Sequence, residues 1–191
     1  MMSRSAALPW LAVGLASVGN LVLATVVSLL GIPLYFDSIG TMAVALHFGF
    51  APGIATALVT HVLLAATGRV LFPFVCCSIL TVLIVTLMKR RFLSGGYVGY
   101  LWMGVLAGIA NGLGGSVLAY YLFSGVTEVH AIDRLVMGFL ITGQEMLTAV
   151  FWAGMVTNLM DKLLSALVVF LMRTPVTRLI DHPASSGELV E

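Results

Sequence analysis

Charged and amide side chains inside apolar helices are costly in a membrane and mark function by default. Several fall together late in the chain, in Thr157-Asn158-Leu159-Met160-Asp161-Lys162-Leu163-Leu164-Ser165. On a helix, Asn158, Asp161 and Ser165 stand at i, i+3 and i+7 and share one face. Lys162 lies four residues beyond Asn158, about 100° round from Asp161. Such a face cannot look at lipid and is expected to point into a bundle. Two roles fit it. One is a site that anchors a ligand or couples to a partner. The other is an internal ion pair that fixes helix packing.

Asp37 opens a second polar cluster, Phe36-Asp37-Ser38-Ile39-Gly40-Thr41. An acid before an apolar helix serves as an N-cap, and at an outer face it also suits a ligand contact. Gln144 and Glu145, flanked by Thr142 and Thr148, offer an amide and a carboxylate to a polar ligand. A solvated loop or helix cap explains them equally well. His61, Asn111 and Asn20 are single polar residues within spans. Each fits an interhelical hydrogen bond, with Asn111 also a candidate ligand contact and His61 a candidate coupling residue. Gly104, Gly108 and Gly112 recur every four residues and are followed by Gly114-Gly115-Ser116. That spacing lets two helices approach closely. Ala12 and Ala16 form a similar small face in the first span, suited to docking another helix.

Enzyme signatures are missing from the sequence. It has no nucleotide-binding loop, no nucleophile elbow and no zinc spacing. His47, His61, His130 and His182 fall at different depths and do not converge. Cys76 and Cys77 are adjacent in an apolar run and read as small apolar fillers. No catalytic residue, metal or cofactor is expected.

The elements that position these residues follow from composition. Of 191 residues, 60% are hydrophobic and 9% charged, with a mean hydropathy of +1.11. Soluble domains run near 45–50% and about 25%. A soluble domain and a disordered chain are excluded, and the net charge of +1 gives no basic field for nucleic acid. At about 20 residues per span, the length suits an all-α integral membrane protein with six transmembrane helices.

Turn residues divide the chain into segments near 7–30, 37–50, 53–67, 70–88 and 97–123. A polar stretch, 124–134, follows. The last apolar stretch is too long for one span, and Gly143-Gln144-Glu145 interrupts it. The expectation is an interfacial helix at 135–146 and a sixth span at 148–172. The second and third segments are short and meet at Pro52-Gly53, as a helical hairpin. The apolar run from Ala7 exceeds a signal-peptide core and reads as a retained first span. Residues 1–174 form a single membrane domain, with a loose polar tail at 175–191.

Cations in short flanks set orientation. With the N-terminus inside, Arg4, Lys89, Arg90, Arg91, Arg173 and Arg178 are cytoplasmic, against Arg69 and Arg134 outside. An N-in, C-in topology is expected.

Two stretches carry a family resemblance. Leu34-Tyr35-Phe36-Asp37-Ser38-Ile39-Gly40-Thr41 with Phe48-Gly49-Phe50-Ala51-Pro52-Gly53 resembles a "DTIGT … FGPxxG" pattern. Asn158 to Ser165 resembles a later "NLxDKxxS". Together they are similar to the S component, the substrate-binding membrane subunit, of energy-coupling factor (ECF) vitamin transporters. The resemblance implies a bacterial cytoplasmic membrane protein that binds a vitamin-like small molecule from outside. It implies docking, through Ala12 and Ala16, on a coupling membrane subunit that carries two ATPases. It implies a pocket in the outer half, built from Gly31–Asp37, Gly115–Tyr121 and Gln144–Asn158, which brings in Trp152. His61 departs from the pattern, where relatives tend to carry Asn. Similar membrane regions also serve as input domains of sensor kinases. The alternative is therefore a sensing or scaffold protein whose Asp161 and Lys162 contact a partner helix without transport.

Overall fold

The computed structural model describes residues 4–68, 72–89, 96–127 and 129–181. Within them lie α1 (Arg4–Leu29), α2 (Ile39–Phe48), α3 (Phe50–Ala66), α4 (Val75–Lys89), α5 (Tyr97–Phe123), α6 (His130–Ile141) and α7 (Met146–Asp181), and no strand. A 3-10 turn, Phe72–Phe74, leads into α4.

Among the described residues four stretches are long and apolar enough to cross a membrane: Ala7–Leu29, Phe72–Lys89, Tyr97–Phe123 and Met146–Arg173. The all-helical membrane class holds, but the second expected span is too short. At about 1.5 Å per residue, the 10 residues of α2 reach only about 15 Å, half of a hydrocarbon core of about 30 Å. The 17 residues of α3 reach about 26 Å.

Hydrogen bonds fix the depth of α2. Ser17 Oγ donates to the Thr56 carbonyl at 3.4 Å, and Asn20 Nδ2 donates to Thr60 Oγ1 at 3.1 Å. Both residue numbers rise together, so α1 and α3 run parallel. The Gly40 N–H donates to Asn20 Oδ1 at 2.7 Å, and Asn20 Nδ2 also reaches Thr41 Oγ1 at 3.1 Å. The first turn of α2 therefore sits beside the middle of α1. The segment between Leu30 and Ser38 descends from the end of α1 to the middle of the bundle. Gly31 (φ 66°) and Phe36 (φ 48°) make its bends in the left-handed region.

The α5–α7 pair is the most extensive packing in the fold. A Cβ on Gly104 would lie 2.9 Å from the Lys162 carbonyl oxygen, on Gly108 2.7 Å from Leu159 Cα, and on Gly112 3.0 Å from Met155 Cα. The glycine repeat thus lets two helix backbones meet, in antiparallel register. The core runs through Met42, Val82, Val85, Met103 and Val169 at the α1 N-terminal end. A second cluster, Ala119, Val136, Ala149, Val150 and Ala153, seats α6.

Three further expectations change. The extra helix spans His130–Ile141, earlier than the 135–146 expected, because Asp133 anchors the preceding loop. Its carboxylate accepts from the Thr127 N–H at 2.8 Å and the Thr127 hydroxyl at 2.9 Å. The last helix continues to Asp181, so residues 175–181 are helical rather than a loose tail; residues 182–191 lie outside the described residues. The face at Ala16 is already used within the chain. Its carbonyl oxygen and Cβ lie 2.6 and 2.9 Å from where a Gly40 Cβ would stand, so α2 covers it, while Ala12 stays half-buried. Bulk at Ala16 would push α2 away before it tested any docking. Arg69, Arg90 and Arg91, which weigh on orientation, lie outside the described residues.

Candidate functional site

Lys162 is the centre of the buried polar network. α7 presents it and Asp161 inward, with exposures of 3% and 0%. Lys162 Nζ donates to Asp161 Oδ2 at 2.6 Å and to Ser38 Oγ at 2.7 Å. Asp37 Oδ1 lies 3.6 Å from the same ammonium. Burying an ion is affordable only when paired and hydrogen-bonded, and here two carboxylates share one cation. Asp37 is not the N-cap expected of it. Ser38 holds that position, without a side-chain cap bond, because Asp37 is drawn toward Lys162 instead.

Asp161 has a second duty. Its Oδ1 accepts from the Tyr35 N–H at 3.0 Å and the Phe36 N–H at 2.8 Å. Positive φ is uncommon for a bulky residue, and Phe36 is held there by this bond. One carboxylate thus grips the descending loop with one oxygen and Lys162 with the other. Asp161→Ala is expected to release the loop. Exchange of the Tyr35 and Phe36 amides with deuterium should speed up by about tenfold or more, the equivalent of a lost charged hydrogen bond of about 1.5–3 kcal/mol. Unchanged exchange would show that the loop is held by something else.

Beside this network is a cavity of about 70 Å³. About 10–15 Å³ in this measure holds one water, so several waters or a small organic group fit. Asp37 and Lys162 bound it at mid-depth, and Tyr35 of the descending loop closes one side. Asn111, His61 and Asn158 come from α5, α3 and α7, with Leu34, Leu64 and Phe74 as apolar wall. A smaller cavity of about 10 Å³ continues past Tyr35 and Asn158 toward α6.

The hydrogen bonds of the lining residues are partly committed. Asn111 Nδ2 donates to Thr81 Oγ1 at 2.7 Å, and Asn158 Nδ2 to the Gly154 carbonyl at 2.9 Å. His61 Nδ1 stands 3.0 Å from the Ala57 carbonyl. A carbonyl only accepts, so Nδ1 carries a proton. Thr60, its neighbour, pairs with Asn20 instead.

Asp37, Asn111, Asn158, His61 and Lys162 therefore converge on one cavity, with Asp161 directly behind it. Gln144, Glu145 and Trp152 do not. Gln144 and Glu145 are exposed at the α6–α7 turn. Trp152 is 48% exposed and stacks edge-on against Phe151 at 5.2 Å. The inward face of α7 is fixed by Val150, Ala153, Thr157, Asp161 and Ser165, and at 100° per residue Trp152 falls outside it. Glu145→Ala should leave ligand affinity within about 0.5 kcal/mol of the parent, as a surface change away from the site does. A larger loss in a binding titration would return Glu145 to the site.

Sequence reasoning missed Ser38, Cys77 and Ser78, which bear on the cavity or its floor, whereas Tyr35 lies in the Gly31–Asp37 loop that the resemblance assigns to the pocket. Ser78 and Asn111's partner Thr81 stand at i and i+3 on α4, a polar spacing readable in the sequence. Cys77 lines the site although it looked like filler. Among the described residues no group of three or more His, Cys, Asp or Glu is placed to hold a metal. Comparison with protein-family models, with curated proteins and with solved structures finds no match.

Proposed function

We propose that this chain is the substrate-binding membrane subunit of an ECF-type importer, taking a vitamin-like small molecule into the cavity beside Lys162. The observation that carries this reading is convergence. Residues from separate motifs, Asp37 early and Asn158 and Lys162 late, line one cavity with Asn111 and His61. A short helix interrupted at mid-depth beside a binding site is the arrangement expected of a transporter segment. In this reading Asp161 holds the loop over the ligand, Asp37 and Asn111 orient it, and the ATPases belong to other chains.

The sensing or scaffold alternative gave Asp161 and Lys162 to a partner helix. Both are buried and engaged within this chain, which supports the binding reading over that alternative.

The test is mass spectrometry of small molecules released by denaturing the detergent-purified protein. The expected result is one organic compound near one-to-one stoichiometry, together with co-purification of a coupling subunit and ATPases from the native membrane. An empty protein that captures no ATPase would overturn the reading.

A further inference from the structure

Two buried polar atoms at the cavity lack a hydrogen-bond partner, and both are acceptors. Asp37 Oδ1 and Asn111 Oδ1 are both buried without a hydrogen-bond partner. Asn111 is only 1% exposed; one of its two amide N–H groups donates to Thr81, and its oxygen has no partner. His61, 3% exposed, spends its Nδ1 proton on Ala57. In the neutral ring, Nε2 is then a bare acceptor.

The charged donor is engaged. Lys162 is committed to Asp161 and Ser38, and at 3.6 Å from Asp37 it makes an ion contact without a hydrogen bond. One N–H of the Asn158 amide donates to the Gly154 carbonyl. The second N–H groups of the Asn111 and Asn158 amides and the hydroxyls of Ser28, Tyr35 and Ser78, which can donate or accept, complete the polar wall. Charge points the same way. By formal count two carboxylates, Asp37 and Asp161, stand against one ammonium, Lys162.

We propose that the cavity selects a small organic cation, a protonated amine or amidine whose N–H groups bond Asp37 Oδ1 and Asn111 Oδ1. Its carbon skeleton packs on Leu34, Leu64 and Phe74. The added positive charge balances the site, and each donor meets an acceptor that is otherwise left empty at a cost. An anionic ligand brings acceptors to acceptors and a second negative charge. A bare metal ion lacks the apolar part that this wall accommodates. This proposal rests on the cavity being a ligand site, and it adds the sign of the ligand's charge.

Three probes of one skeleton test it on the full chain in detergent: 2-phenylethylammonium, 2-phenylethanol and phenylacetate. Thermal unfolding is followed against the concentration of each. The ammonium is expected to stabilise with a half-saturation about tenfold or more below that of the alcohol, the worth of a charge-assisted hydrogen bond. Phenylacetate should do nothing, and Asp37→Asn should bring the ammonium down to the level of the alcohol. Should that variant not fold, the comparison within the parent protein stands by itself. Equal binding of the three, preference for phenylacetate, or stabilisation by sodium chloride alone would overturn the cation while leaving a ligand site. If no probe binds, the compound released by denaturation decides: a cation upholds the proposal, and a neutral or anionic compound overturns it. No probe binding and no released compound would overturn this inference, while the importer reading falls only if the protein also captures no ATPase.

Discussion

Lys162→Met is expected to destabilise the folded chain by about 3–5 kcal/mol, the cost of leaving a buried charge without its partner. The methionine fills the space of the lysine stem, so packing changes little and the loss is electrostatic. Asp161 and Asp37 would face each other across the vacated position, both buried in part or in full. Natural domains hold only about 5–15 kcal/mol in total, so the variant should unfold at far lower denaturant. The double change Lys162→Met with Asp161→Asn should recover part of the loss, because it removes one uncompensated charge. It will not recover all, because Asp37 remains. A midpoint shift worth less than about 1 kcal/mol in the single variant would mean that the network carries little of the stability.

The second large effect is at the α5–α7 crossing. Gly108→Val is expected to cost about 3 kcal/mol or more, at or beyond the upper end of ordinary overpacking. Its Cβ would stand 2.7 Å from Leu159 Cα, so backbone rather than a pliable side chain must move. Separation of the helices also shifts Asn158 and Lys162, so ligand binding should fall with stability. Gly114→Ala is the matched control. Nothing lies within 4 Å of its Cβ position, and the exchange should be neutral or stabilising by up to about 1 kcal/mol. Melting curves of the two variants that coincide would remove the glycine repeat as the basis of the crossing.

The helices were mostly legible because long apolar runs broken by Gly and Pro have few alternatives at membrane depth. Spacing alone brought Asn158, Asp161 and Ser165 to one face, and they face inward. Asn20 and Asn111 make the interhelical bonds expected of them. What failed has a common cause. Trp152, Gln144 and Glu145 were grouped by nearness in sequence, and helix rotation separates neighbours in space. The half-length of α2 was hidden because Phe36 to Thr41 reads as continuous with the apolar run after it. Only the bonds from Asn20 and Asp161 reveal that the chain enters the bundle before it becomes helical. The start of α6 was masked by charges that look like loop and serve as anchors.

Asp161 joins the two sides of the site in a single group. Its Oδ1 bonds the loop and its Oδ2 bonds Lys162. Whatever changes the charge balance at mid-depth is felt by the loop through that carboxylate, and whatever lifts the loop weakens the hold on Lys162. By thermodynamic reciprocity, occupancy of the cavity and closure of the loop form one linked equilibrium. On the proposed importer reading the cavity would fill and seal as one cooperative event, and a substitution that frees the loop is expected to lower affinity even when it touches no ligand atom.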